Sequence, residues 1–587
     1  MSTPFVPSRA WWKEATIYQI FPISFFDSNG DGIGDLNGIY AKLDYLKDLG
    51  VDVLWLSPIY RSPLADMGYD ISDFRDIDPR YGTLADWDNL LSGVHERGMK
   101  LMMDLVVNHT SDEHQWFLDS RSSKSDPKRD WYIWRPPRYD DDGNRQPPNN
   151  WRSVFQGSAW EYDEITEEYY LHLFVSKQPD LNWENADVRD AVWDFMQFWT
   201  DRGCDGFRLD VIDLLSKAEG LPDAPITSPD EVYQPAVIHY ANGPKIHEYI
   251  KEMDKKVLSK YDLITVGEAS FTQKMSEFDG YVLPSNNELN MVFHFQLMDV
   301  DFPKEGNSRL PLKHKDWTLA EFRQVVVKWQ NYKREEGFWN TVYIENHDHA
   351  RSVTRFGDDS EEWRAKSAKM LAILEISQSG TLYIYQGQEL GLKNLPRTWG
   401  IEEYKDIASQ IYYKKKKLLI DEAVDMSDIL DGFQRNARDH ARVPMQWNSS
   451  AHAGFTSGEP WMRVNEDYQT WNVAAQLKDN DSVHSFWKHA LNLRKAHEVL
   501  IYGDFSDISN SHEEVFAYIR TLENSSALVL LNFKKTDVIF SLDSKSDWTG
   551  FRHVLGNYGG DEGDEIGVAS GSNDIRLRGF EGRVYIQ

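Results

Sequence analysis

Asp205-Gly-Phe-Arg-Leu-Asp-Val-Ile-Asp-Leu-Leu-Ser-Lys217 decides how the rest of the chain is read. It has the form of a buried strand running into a helix, with an arginine and an aspartate where a plain core has neither. Alternate strand side chains share a face, so Phe207 and Leu209 point one way and Arg208 and Asp210 the other. Two residues of rise separate guanidinium and carboxylate by about 6–7 Å along that face. Burying both costs several kcal/mol per ion unless they are paired and hydrogen-bonded. A structural ion pair accounts for an isolated Arg-x-Asp, so the meaning of this one depends on its neighbours.

Upstream, the stretch is preceded by Val192, Phe195, Met196 and Trp199 at helical spacing, then Gly203. The same unit of helix face, glycine stop and apolar strand occurs twice before it. Ile39, Leu43 and Leu46 lead to Gly50 and a strand at 51–58; Trp87, Leu90, Leu91 and Val94 lead to Gly98 and a strand at 100–109. This is the βα rhythm of a parallel sheet. With strands at 16–22, 263–269, 289–295, 340–346 and 381–387, the count reaches eight, that of an α/β (β/α)8 TIM barrel.

Two stretches break the rhythm. Residues 110–180 are rich in Trp, Pro, Asp, Asn and Arg and too long for a βα loop, which predicts an inserted subdomain after the third strand. A second excursion, about 390–475, carries the Lys414–Lys417 run, read as a solvated helix face rather than a targeting patch. From residue 510 short alternating strands such as Ala527–Phe533 predict a C-terminal antiparallel β-sandwich, with a solvated acidic loop at Asp561–Glu565. The expected division is barrel 1–109, insert 110–180, barrel 181–509 and β domain 510–587.

Composition narrows the function. The 587 residues carry a net charge of −30, which repels phosphate backbones and anionic lipid, so neither nucleic acid nor membrane is an expected partner. Aromatic residues make up 13%, a supply of flat faces for sugar rings as well as for core. The single cysteine, Cys204, excludes an internal disulfide framework and is expected to pack in the core. The first residues hold no signal-type apolar region, and no run of about 18 apolar residues occurs. The expectation is a cytoplasmic protein, monomeric or weakly homo-oligomeric.

Polar residues at the C-terminal ends of barrel strands are the ones to suspect of chemistry. Here they are Asp104 with Asn108 and His109, Arg208 with Asp210, Glu268, and His347 with Asp348. Glycosidic cleavage needs one ionised carboxylate and one protonated acid flanking the bond. Arg208 is expected to lower the pKa of Asp210 and keep it an anion, and the apolar run before Glu268 to raise that of Glu268. Asp348 remains to orient sugar hydroxyls and favour a cationic transition state.

These motifs carry a resemblance. Asp104-Leu-Val-Val-Asn-His109, Gly206-Phe-Arg-Leu-Asp210, Gly267-Glu268 and Glu345-Asn-His-Asp348 resemble the α-amylase superfamily, glycoside hydrolase family 13. Gln178-Pro-Asp-Leu-Asn182 is similar to the oligo-1,6-glucosidase branch, which includes isomaltases and maltases. So is Ala437-Arg-Asp-His-Ala-Arg-Val-Pro-Met-Gln-Trp447, although Val443 stands where that family usually has Thr. The resemblance covers nearly the whole chain. It implies Asp210 as nucleophile, Glu268 as acid/base and Asp348 as transition-state stabiliser. It also implies a glucose site of Asp66, Tyr69, His109, Phe174, Arg208, His347 and Arg438.

Asp27-Ser-Asn-Gly-Asp-Gly-Ile-Gly-Asp35 alternates oxygen side chains with glycines, which suits a hard cation, but it lacks the Glu that would end an EF-hand. The resemblance implies a structural calcium held by Asp27, Asn29, Asp31, the Ile33 carbonyl and Asp35; the alternative is a metal-free loop of Asx-turns. Val211, following the nucleophile, is the family position that separates α-1,6 acceptors (Val) from maltose-type enzymes (Thr). The expected activity is therefore a retaining exo-α-glucosidase acting on short oligosaccharides, isomaltose-type links included, with maltose or sucrose as further candidates. A sucrose isomerase ranks lower because Phe302–Leu310 lacks the Arg-x-Asp-Arg-Asp loop of those enzymes. A non-catalytic transporter heavy chain ranks lower still, because all three acids and no anchor are present.

Overall fold

The computed structural model describes residues 8–305, 308–309, 313–419, 427–544, 547–559 and 573–587. Its centre is an eight-stranded parallel sheet: β1 (Thr16–Ile20), β2 (Val53–Leu56), β3 (Lys100–Leu105), β4 (Gly206–Leu209), β5 (Ile264–Glu268), β6 (Met291–Phe293), β7 (Thr341–Val342) and β8 (Thr381–Tyr385). The sheet order is β6-β5-β4-β3-β2-β1-β8-β7, so each strand lies beside its sequence neighbour and β8 returns to β1. Only the β6–β7 step lacks a ladder among the described strands. Side chains bridge it: Thr341 Oγ1 donates to the Val292 carbonyl at 3.0 Å and the Tyr343 hydroxyl to that of His294 at 2.9 Å.

All eight expected strands are present, several of them shorter than expected. The third ends at Leu105, not His109, and the seventh is only Thr341–Val342. The polar residues beyond these ends leave the ladder and turn over the barrel mouth, where His109 bridges to Asp180. Gly50 stops the helix Leu43–Leu49 at φ 109°, a conformation open to glycine.

Period-2 alternation sorts the strand side chains. Ile17, Val53, Trp55, Met102, Ile264, Val266, Met291, Phe293 and Tyr383 fill the barrel interior. Leu54, Leu101, Met103, Leu105, Phe207 and Leu209 face outward into the helix layer. Asp104, Arg208 and Glu268 continue the interior rows, so the hydrophobic plug is capped by charge at the C-terminal end.

Within the expected insert, a three-stranded antiparallel sheet joins Trp134–Arg135, Glu168–Leu171 and Trp160–Asp163. Helix Ile407–Leu419 carries the lysine run, with Lys414 and Lys417 exposed. At the C-terminus a five-stranded antiparallel sheet and a two-stranded one enclose an apolar core that includes Phe540 and Trp548. The five-stranded sheet starts before residue 510, because Asp504–Asp507 pairs with Val515–Leu522. The acidic stretch Asp561–Glu565 lies outside the described residues. Cys204 is buried. Among the described residues no helix is long and apolar enough to cross a membrane.

The C-terminal sheet meets the closed end of the barrel through two buried arginines. Arg494 donates to the carbonyls of Gln378 (2.8 Å), Gly380 (2.6 Å) and Leu500 (3.1 Å). Arg520 donates to those of Leu500 (3.0 Å), Gly503 (2.6 Å) and Ser377. Burial lowers the pKa of Arg494 to about 9 and pushes that of Arg520 well below its usual value. Carbonyls left without a donor in a buried site lose about 1–3 kcal/mol each. Arg520→Met is therefore expected to lower the melting temperature, while activity per folded molecule stays near wild type. Thermal melts beside initial rates check this.

Candidate active site

The strand register creates the first half of the site. Arg208 on β4 lies opposite Asp104 on β3 and Val266 on β5, two residues before Glu268. One guanidinium consequently reaches three acids. Arg208 Nη1 bonds Asp104 Oδ1 at 2.7 Å and Asp210 Oδ1 at 2.7 Å, and Nη2 bonds Glu268. All four side chains are buried. Trp55 Nε1 and the Tyr69 hydroxyl donate to the other oxygen of Asp104 at 3.3 and 3.2 Å.

The second half comes from the opposite strand ends and the excursion. Asp348 accepts from Arg438 Nη1 at 3.1 Å and Arg442 Nη2 at 3.0 Å, and its other oxygen lies 3.1 Å from His347 Nε2. Arg438 also reaches Asp66 at 3.4 Å and Asp406. Gln19 Nε2 donates to His347 Nδ1 at 2.8 Å, which leaves the proton on Nε2, facing the Tyr69 hydroxyl at 2.7 Å and Asp348. Tyr69 stacks on the His347 ring at 5.4 Å and 7°. His109 Nε2 donates to the Tyr69 carbonyl at 3.1 Å, and its ring meets Phe174 at 5.1 Å.

The two halves titrate in opposite directions. Burial raises Asp348 too, but His347, Arg438 and Arg442 outweigh it and hold its carboxyl well below the usual range. Around Arg208 a single positive charge faces three carboxylates. Burial pushes the pKa of Asp210 well above the usual value; Arg208 opposes this, and Glu268, Asp104 and Asp348 reinforce it. Asp104 is pushed up to about 6 by the same burial. This corrects the expectation that Arg208 keeps Asp210 an anion. The guanidinium is divided among three acids, so it does not offset the burial of Asp210 and Asp104, and their titration belongs to the group rather than to one residue.

The halves enclose a cavity of about 210 Å³. Asp66, Tyr69, His109, Phe174, Asp210, Val211, Glu268, His347, Asp348 and Arg438 all line it, and Arg208 is the common partner of Asp210 and Glu268. Val211 adopts φ 36°, ψ 48°, a left-handed conformation costing a β-branched residue about 1–3 kcal/mol. The sequence reading missed several lining residues. Gln178 binds Asp66 at 3.2 Å, Asp406 pairs with both Arg438 and Arg442, and Phe155, Phe271, Phe302 and Tyr412 form an apolar wall. A signal existed for Gln19, a polar residue on the interior face of β1. Asp406 had none, since an aspartate ahead of a helix is ordinary.

The loop at 27–35 lies apart from these acids. Its donors are all oxygens, a chemistry that fits a hard cation. Asp27 accepts from the N–H groups of Asn29, Gly30 and Gly32, and Asp31 from that of Ile33. Asp35 accepts from Ser28 and Gly38. Among the described residues no group of three or more His, Cys, Asp or Glu side chains is arranged to hold a metal.

Residues 19–503 match the family model described as the alpha-amylase catalytic domain. The chain belongs to glycoside hydrolase family 13. It is 48% identical to an oligo-1,6-glucosidase of Parageobacillus thermoglucosidasius, over 98% of this chain and 99% of that one. It is also 48% identical to an alpha-glucosidase of Schizosaccharomyces pombe, over 93% and 94%. Isomaltulose synthase from Klebsiella sp. LX3 superposes with a TM-score of 0.91 at 39% identity, covering 99% of this chain and 100% of that one. This glycoside hydrolase carries the motifs on which the resemblance was based.

Burial holds the pKa of His347 at about 3 and that of His109 at about 4. An unfolded histidine titrates near 6.5, so below that pH the unfolded chain binds protons the native one refuses. Stability contributed by the neutral rings is therefore lost as pH falls from about 6.5 towards 4. His347→Gln is expected to remove about 1.4 kcal/mol per pH unit from the acid slope between pH 5.5 and 4. Chemical denaturation across that range measures it.

Proposed function

We propose that this pocket releases terminal, non-reducing α-linked glucose from short oligosaccharides, α-1,6 links included, with retention of configuration. The observation that carries the reading is the shared guanidinium. Asp210 and Glu268, on adjacent strand ends, bind one Arg208, which supports the close carboxyl spacing of a retaining pair. Asp348, held ionised by two arginines, faces them across the cavity.

In this reading the proton held by the coupled carboxyls around Arg208 resides on Glu268, so the ionised Asp210 attacks the anomeric carbon while Glu268 gives that proton to the departing glycosidic oxygen. Water then takes the leaving sugar's place, loses a proton to Glu268 and displaces Asp210. Asp348 stabilises the positive charge that develops on the ring. Asp66, His109, His347 and Arg438 bind the hydroxyls of the terminal glucose, and Tyr69 and Phe174 pack against its ring. The Asp66–Arg438 pair and Gln178 limit the floor to one glucose, which supports exo action. Val211, on the cavity wall beside the nucleophile, supports acceptance of α-1,6 links. The single cysteine, Cys204, supports a reducing compartment, and we place the enzyme in the cytoplasm, monomeric or weakly associated.

Asp210→Asn and Glu268→Gln are each expected to lower turnover of isomaltose by at least about 10²-fold, with melting temperature retained. Proton NMR of the first glucose released by the wild type should show the α-anomer. Near-wild-type turnover in either variant, or a β-anomer, overturns the mechanism. The likeness to isomaltulose synthase favours a second reading, isomerisation of sucrose. An isomeric disaccharide as the main product from sucrose, in place of free glucose and fructose, would select it.

For the loop, we propose a structural calcium at Asp27, Asn29, Asp31, the Ile33 carbonyl and Asp35. It would tie the loop to the excursion, where the Asp27 N–H already donates to Phe455 and Trp461 to Gly32. A ligand that binds only the native state raises stability by mass action. Melting temperature should therefore rise with calcium over chelator, and turnover on isomaltose well below the melt should not change. Equal melts would assign the loop to its Asx-turns alone.

A further inference from the structure

The turn that follows the nucleophile and the loop that follows the acid are joined by one carboxylate. Asp213 stands three residues after Asp210, in the 3-10 turn Ile212–Leu214, and is fully buried. Its Oδ2 accepts from the Phe271 N–H at 2.9 Å and the Thr272 hydroxyl at 2.9 Å, three and four residues after Glu268. Its main-chain carbonyl accepts from the Asn242 N–H at 2.7 Å, and Asn242 Nδ2 lies 3.0 Å from the Thr272 hydroxyl. Asp213 Oδ1 is buried without a hydrogen-bond partner.

The backbone on either side makes the same junction tight. A methyl on Gly267, the residue before Glu268, would meet Ile212 Cγ2 at 2.8 Å, so β5 and the turn are already in contact. Val211 holds its left-handed φ between Asp210 and this turn, a conformation that persists only where the surroundings over-determine it. The bonds made by Asp213 are such a restraint. Phe271 and Ser270, which the tether fixes, line the cavity on its apolar side.

We propose that Asp213 is a positioning residue, which latches the loop after β5 onto the nucleophile's turn and so fixes Glu268 and Phe271 relative to Asp210. It touches no substrate and acts through the loop it holds. Burial pushes its carboxyl up to about 7, against the two hydrogen bonds, with the charge of Glu268 adding to the rise. The two acids are thus electrostatic as well as mechanical neighbours. The inference rests on Glu268 being the proton donor, and its test separates the two ideas.

If Asp213 positions the acid, its loss should hurt only departures that need a proton. Asp213→Ala is expected to lower kcat/KM for isomaltose about 10- to 100-fold, as a small misplacement of a catalytic group does. Hydrolysis of α-glucosyl fluoride, whose leaving fluoride needs no proton, should change less than about threefold. Asp213→Asn, which keeps an oxygen acceptor for Phe271 and Thr272, should recover most of the isomaltose rate. Thr272→Val, which removes one donor and leaves the carboxylate, should show the same split at smaller size if the alanine variant does not fold. Equal loss on both substrates, or no loss on either, overturns the assignment. Glu268→Gln serves as the reference: if it shows no split, the reading of Glu268 falls, whereas a split there without one in the Asp213 and Thr272 variants rejects Asp213 alone.

Discussion

A single guanidinium with more acids around it than it can neutralise sets the terms for the rest of this structure. Arg208 is buried at the top of the barrel and bonds Asp104, Asp210 and Glu268. Removing such a partner leaves uncompensated charge in a low dielectric, so the arrangement tolerates little adjustment. It also leaves burial free to push the carboxyls of Asp210 and Asp104 upward. Across the cavity the balance is reversed, with Arg438 and Arg442 both on Asp348. Acid-assisted displacement requires carboxyls that hold protons differently, and the barrel sets its carboxyls apart by distributing six acids and three arginines unevenly.

Much of this was legible in the sequence for a physical reason. Parallel strands buried on both faces read as continuous apolar runs, and a charged residue inside such a run is costly enough to stand out. Asp104, Arg208 and Glu268 were found that way, and the register confirms their adjacency. Asp66, Tyr69, Phe174 and Arg438 rested on the resemblance alone, because each sits in a stretch whose local pattern is unremarkable. Asp406 and Gln178 went unseen as site residues because only tertiary folding brings the excursion and the insert over the barrel mouth. The titration of Asp210 was misread because its arginine neighbour was weighed without the full burial of the carboxyl, the largest effect, or the acids that share that arginine.

The division of labour between barrel and additions follows from the same geometry. Strand ends supply the charged groups, which need rigid placement. Phe155 from the insert, Phe271 and Phe302 from barrel loops, and Tyr412 from the excursion supply the apolar wall, which needs only area. Loops can change that wall without disturbing the ion network below it, one reason a single scaffold supports relatives named for different sugars.

The two arginines at the closed end have a bearing on how the molecule comes apart. Carbonyl oxygens neither titrate nor attract counter-ions as carboxylates do, so the grip of Arg494 and Arg520 is indifferent to acid and little screened by salt. The mouth of the barrel is built the other way, from buried histidines and carboxylates whose titration is shifted by burial and by one another. Acidification therefore acts on the mouth in two directions, against the neutral rings of His347 and His109 and with the raised carboxyls of Asp210 and Asp104, while the carbonyl clasp at the joint does not titrate.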